Sequence, residues 1–216
     1  MKFSTTTVSS YKQDQEKSDA PAVKQWLNPN EIPNGSEVEY VFMTEDPLEF
    51  WELWADRISD GKANPFRWSV EDHPEGPTDE EIRAVTGKEY VRQLSKFENK
   101  KRGIKKGDPR PADLCMAWPV WNCEEKCFQV LKISQKSLQS QIIKTSMLKK
   151  YRNKMEHYNH TIHKGLVSDI VTYTYNAIER DDDFEEELVM GLWEEQECEM
   201  ELLLTNGEPF NPGGKS

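Results

Sequence analysis

The sequence predicts a mainly β (α+β) protein with helical and loop insertions and flexible ends. Three observations carry that expectation. Apolar and polar residues alternate in several short runs, the period of a half-buried strand. Two strand-like runs, 113–121 and 127–133, flank the polar connector 122–126 and form the clearest hairpin in the chain. Hydrophobic residues make up only 36% of 216 positions against 31% charged, so one core cannot enclose the whole chain.

The elements follow in order. Residues 1–25 are mostly Ser, Thr, Gln, Lys and Asp and are expected to be disordered, because they bury too little to offset ordering. Residues 37–43 alternate and then turn apolar, as a strand. After the Asp46-Pro47 break, 48–58 is aromatic-rich and reads as a second strand. The stretch 61–87 looks loop-like, with Pro65, Pro74 and Pro77, until Thr78 opens a short helix with Glu81 as its capping-box partner. Residues 89–97 suit a helix, and 100–110 a solvated flexible loop. Strand 113–121 carries Pro119, expected at an edge or bulge. After strand 127–133, Leu138, Ile142, Ile143 and Met147 sit at helical spacing, with Ser134 as the N-cap. Residues 149–164 are basic, aromatic and His-rich; 169–175 is a β-branched strand. Residues 184–204 suit either an acidic amphipathic helix or a last strand. The organisation expected is a disordered 1–25, a domain 26–180 with an insertion at 58–112, and an acidic segment 181–216.

Net charge is −11, yet it is strongly blocked along the chain. Residues 1–87 hold 8 basic and 18 acidic side chains, 88–165 hold 18 and 7, and 166–216 hold 2 and 14. A cationic block between two anionic ones points to a polyanion site with an acidic tail. No run of eighteen apolar residues suggests a membrane span, no apolar stretch near the N-terminus suggests a secretory signal, and four cysteines do not make a disulfide scaffold. The expected setting is cytoplasmic, or the host cytoplasm for a viral protein, with no membrane partner.

Enzyme signatures are missing: there is no phosphate-binding glycine loop, no dinucleotide fingerprint, no nucleophile elbow and no His-Glu-x-x-His. Carboxylates occur in runs rather than in an apolar setting that would separate their pKa values. Cys123 and Cys127 with His157, His160 and His163 fall loosely within zinc spacing, but ordinary hairpin thiols account for them as well. The expectation is a non-enzyme without cofactor or metal.

The nucleic-acid signal is stronger. Single strands are held by cations along the phosphates and aromatic faces under the bases. Lys96, Lys100, Lys101, Arg102, Lys105, Lys106 and Arg110 form one cationic run, and Lys149, Lys150, Tyr151, Arg152 and Lys154 a second with a ring among the charges. Lys132 lies between them. Trp68, Trp118, Trp121, Tyr151 and Tyr173 are the candidates for base stacking.

The stretch Met116-Ala-Trp-Pro-Val-Trp-Asn, followed by Cys127-Phe-Gln-Val-Leu-Lys-Ile-Ser-Gln-Lys-Ser-Leu-Gln, resembles single-stranded-DNA-binding proteins of tailed bacteriophages, of the gene-32-like kind. The Asp169-Ile170 strand, Phe50-Trp51 and Pro65-Phe66 are similar to further family features. The resemblance implies an OB-fold, a five-stranded Greek-key barrel, and a role in coating single strands during DNA replication and recombination. It also implies replication proteins as partners through the acidic C-terminal segment. Two family features are missing: 58–114 holds His73 but no cysteine for a zinc ribbon, and no Arg-Thr-Gly follows the Asp-Ile strand. The alternatives left open are a protein-interaction module working through its charge blocks, and a metal-dependent nuclease.

Overall fold

The structure is a computed structural model that describes residues 25–96, 98–100, 103–180 and 184–210. The expected disordered N-terminus thus lies almost wholly outside the described residues. In chain order the strands are β1 (Trp26–Leu27), β2 (Ser36–Phe42), β3 (Leu48–Arg57), β4 (Ala63–Ser69), β5 (Tyr90–Arg92), β6 (Asp113–Asn122), β7 (Cys127–Ile133), β8 (Tyr158–Val167) and β9 (Ile170–Glu179). The α-helices are α1 (Asp79–Thr86), α2 (Lys136–Ser146) and α3 (Glu186–Glu195). The chain divides into two compact units: Met1–Pro47 with Ala117–Met200 and Phe210–Ser216, and Leu48–Met116 with Glu201–Pro209.

The first unit is built on a sheet with strand order β1-β7-β6-β2-β8-β9. β1 runs parallel to β7, whereas the β2–β6, β2–β8 and β8–β9 ladders are antiparallel. The fold is mainly β, and its mixed sheet is not closed into a barrel. The closed five-stranded barrel implied by the resemblance is corrected on that point: the strand path ends at β9, with no ladder from β9 back to β1.

β2 explains why its sequence alternates and then turns fully apolar. Val38, Tyr40 and Phe42 point to one face, where Trp118, His160, Ile162 and Tyr175 are buried. Val41 and Met43 point to the other, where Trp121 and Val189 of α3 complete a core with Phe128, Phe184, Leu192 and Trp193 packed against it. A strand covered on both faces needs no polar side. The acidic helix alternative for 184–204 is therefore the one realised: α3 buries its apolar stripe and leaves Glu186, Glu187, Glu194 and Glu195 outward.

At the centre of the first face sits His160, fully buried. Its ring stacks on Tyr175 with centroids 5.7 Å apart and on Tyr40 at the same distance, and Phe42 is at 4.5 Å. Nε2 is 2.7 Å from the Met155 carbonyl and Nδ1 2.7 Å from the Tyr175 hydroxyl. A carbonyl only accepts, so Nε2 carries the proton and Nδ1 accepts from the phenol. Burial lowers the His160 pKa to about 4, while the Met155 carbonyl opposes that shift. The unfolded chain therefore binds one more proton between about pH 6.5 and pH 4. The stabilisation is complete above pH 6.5 and falls away as pH drops through 4, a loss of up to about 3 kcal/mol. Urea unfolding at pH 7 and at pH 4.5 measures the decline, and NMR titration should show the His160 ring still neutral at pH 5.

The second unit centres on β3, flanked by β4 along most of its length and by β5 at its end. One face carries Leu53 and Trp68 with Ile82 of α1 and Ala112, and Trp51 and Phe66 pack on them. α1 starts as expected: the Thr78 side chain accepts from the Glu81 amide, and Glu81 accepts from the Thr78 amide. On the opposite face Glu52 and Arg67 form a buried ion pair, N–O 2.9 Å, with both side chains only 5% exposed. Trp54 Nε1 donates to the same carboxylate at 2.8 Å. Arg67 also donates to the Leu203 carbonyl and to Asn206 Oδ1, at 2.6 and 3.1 Å. Residues 201–209 are thereby fastened to this sheet, with Leu203 fully buried.

Three local expectations are corrected, and the stretch 158–167 acquires an element that its sequence does not mark. Residues 63–69 form a strand rather than a loop; Pro65 is tolerated because β4 pairs only with β3 and so lies at an edge. Residues 90–92 form a strand, not a helix, paired to 55–57. The α2 cap is Gln135 rather than Ser134, and its side chain makes no capping bond. Residues 158–167 form a strand between β2 and β9.

Candidate nucleic-acid interface

The cationic residues fall into two groups, one in each unit. In the first unit α2 runs out at Ser146, and the chain coils through a series of turns, with the Tyr151 and Arg152 amides both donating to the Leu148 carbonyl. Asn153 takes a left-handed φ of 54°, which asparagine accepts more readily than most residues. The result presents Lys149, Lys150, Arg152 and Lys154 to solvent.

Tyr151 is the anchor of that turn. It is half-buried, its hydroxyl donates to the Ala177 carbonyl at 3.2 Å, and its ring meets Tyr158 edge-on at 4.7 Å. The Lys150 ammonium stands 5.3 and 5.5 Å from those two ring centroids and 2.9 Å from Glu179. The Glu179 carboxylate raises the Lys150 pKa, and Lys150 in turn holds the Glu179 carboxyl below its usual value. Both are fully exposed, so the pair sets orientation more than stability. Tyr158 is the residue missed in the sequence. It opens a strand whose register was hidden there, so nothing marked it as the ring facing Tyr151.

In the second unit the described residues of the stretch 93–111 are tied to one another by backbone hydrogen bonds. Asn99 and Ile104 exchange backbone hydrogen bonds at 2.8 and 3.0 Å, Ser95 donates to the Asp108 carbonyl, and Arg110 donates to that of Gln93. Asp108 also caps the Lys105 amide at 2.7 Å. Lys96, Lys100, Lys105, Lys106 and Arg110 are exposed. Lys96 and Arg110 border an open cleft of about 390 Å³ with Ser95, Glu98, Asn99, Ile104 and Asp113. Arg110 is 3.3 Å from Asp113 there. Lys101 and Arg102 lie outside the described residues.

The tryptophans are corrected. Trp68, Trp118 and Trp121 are 9%, 3% and 6% exposed and belong to the cores, so none is a surface platform for a base. Trp118 and Trp121 sit on β6, which is buried along nearly its whole length, and Trp68 is the buried position of β4, packed with Leu53, Ile82 and Ala112, so each large ring fills core volume. Trp118 tilts against Phe42 with its Nε1 donating to the Glu45 carbonyl at 3.4 Å, and Trp121 meets Phe128 edge-on at 5.0 Å. Tyr173 is half-buried; its hydroxyl donates to Asn30 Oδ1 at 3.0 Å, and burial raises its pKa. Lys132 is half-buried, with its ammonium 5.7 Å from the Trp26 centroid.

The zinc spacing does not assemble. His160 spends both ring nitrogens in the core, and among the described residues no three His, Cys, Asp or Glu are grouped to hold a metal ion. Burial, with the Glu125 carboxylate adding to it, pushes the Cys127 thiol up to about 12, so it is protonated at neutral pH. No helix among the described residues is long and apolar enough to cross a membrane. No protein-family model matches the chain, and neither a curated protein nor a solved structure shows significant similarity to it.

Proposed function

We propose that this protein binds single-stranded DNA without catalysing a reaction on it, and largely without regard to base sequence. The observation that carries the reading is the turn 149–154, where four cations are exposed and Lys150 stands against both rings of the Tyr151–Tyr158 pair, which Tyr151 anchors by a hydrogen bond. Cations there can follow a phosphate backbone, and the exposed parts of Tyr151 and Tyr158 can meet unstacked bases. Lys96, Lys100, Lys105, Lys106 and Arg110, exposed in the second unit, supply a second set of cations. On this reading the open sheet of the first unit is a relative of the OB architecture, and the protein protects transient single strands in phage replication and recombination. The outward carboxylates of α3 are then the surface offered to basic replication proteins.

Fluorescence anisotropy of a labelled oligothymidine tests it. Binding should saturate, survive a change of base composition and be reversed by salt. An oligothymidine that stays free at low salt would sink the proposal. Tryptophan quenching is the poorer assay here, since Trp68, Trp118 and Trp121 are buried.

A further inference from the structure

On the α3 side of the first unit's sheet lies an open notch of about 230 Å³ whose chemistry is not that of a phosphate site. Trp121, Phe184 and Val189 form its apolar wall, and Glu39, Asn159 and Glu185 supply its polar atoms, with Cys123 and Lys126 at its border. Asn159 is 3% exposed, and its Oδ1 is buried without a hydrogen-bond partner. Its amide orientation is fixed by its neighbour: Nδ2 donates to Glu39 Oε1, and a carboxylate can only accept. Exchanging the amide nitrogen and oxygen would set two acceptors against each other. The orphan oxygen is therefore an acceptor in search of a donor, and leaving it unmet is unfavourable.

Beside it, the second oxygen of Glu39 makes no hydrogen bond among the described residues. Two adjacent acceptors, one of them charged, match a planar group that offers two N–H donors side by side. The guanidinium fork has that shape and the complementary charge. Its alkyl stem is apolar, as is the wall of Trp121, Phe184 and Val189. Charge separates this occupant from a nucleic-acid base. Glu39 and Glu185 line the notch against one cation, Lys126, and Glu187 follows on α3 beside Glu186, whose carboxylate is paired with Arg180, so the lining is net anionic and favours an arginine over a phosphate-bearing strand.

We propose that this notch receives the arginine side chain of a partner protein, with the guanidinium bridging Glu39 and Asn159. The site is separate from the cationic turn and does not depend on the DNA-binding proposal.

Two-dimensional NMR of the full chain tests it, with Ac-Gly-Arg-Gly-NH2 as probe and its lysine counterpart as control. The arginine peptide should give saturable shifts of the Asn159 side-chain amide and of the Cys123 and Glu185 backbone amides. The lysine peptide should bind at least tenfold more weakly, because its donors diverge from one tetrahedral nitrogen and cannot reproduce the guanidinium's two parallel N–H groups. Glu39→Gln should weaken the arginine peptide by at least tenfold while the remaining spectrum is unchanged. Equal response to both peptides, or shifts that avoid Asn159, would overturn the proposal whether or not the variant folds. Guanosine moving the same resonances while the arginine peptide does not would also overturn it, and would give the notch to a base.

Discussion

Arg67→Met should destabilise the second unit by about 3–5 kcal/mol, since it leaves the Glu52 carboxylate buried without its cation. For a chain of this length that is a fall of roughly 10 °C in Tm. The substitution keeps the apolar stem that crosses the β3–β4 pair, so lost packing is a minor part of the effect. It also removes the donors to the Leu203 carbonyl and Asn206, the bonds that hold residues 201–209 on the sheet. Limited proteolysis should then cut within 201–209 before the rest of the unit unfolds. The double change Glu52→Leu with Arg67→Met should recover much of the stability, because an apolar pair needs no charge compensation. Equal urea midpoints for Arg67→Met and the native chain would show that the ion pair contributes nothing net.

The second large effect is on binding. Replacing Lys149, Lys150 and Arg152 by Ala should remove about three phosphate contacts. At about 0.7 counterions per contact on a single strand, the slope of log affinity against log salt should flatten by about 2. At 0.1 M salt that corresponds to about a hundredfold loss of affinity. Stability should hardly change, because all three side chains are exposed and the one ion pair among them, Lys150 with Glu179, is fully exposed on both sides. Trp118→Ala should behave in the opposite way. It empties a core position at a cost of about 3–5 kcal/mol, and any loss of binding should follow the loss of fold.

These two sets of residues show what could be read in the chain and what could not. The strands at 36–42, 48–57, 113–122 and 127–133 were legible because alternation, aromatic content or an apolar run bounded by a turn marks each in the residues themselves. The Thr78–Glu81 box is local chemistry and needs no tertiary information. β8 was not legible. Asn159, His160 and Thr161 are polar residues in buried positions, and their partners Glu39, Met155 and Tyr175 come from elsewhere in the chain. Without those partners the segment reads as one more basic surface stretch.

The cations were legible as a class, since Lys149 to Lys154 holds only polar residues around Tyr151, and the structure exposes all four charges. The rings were not. A tryptophan beside charged residues in sequence can stand on a strand covered on both faces, and Trp118 and Trp121 do. The ring most useful beside Tyr151 is Tyr158, seven positions away, and only the turn 149–157 brings the two together.

The most direct test is a comparison of oligothymidine with a duplex of the same length, each titrated at 0.05 M and 0.2 M salt. The account expects the single strand to bind more tightly at both, with an affinity that falls steeply as salt rises. An affinity for single strands that is insensitive to salt, or a preference for the duplex, would contradict it.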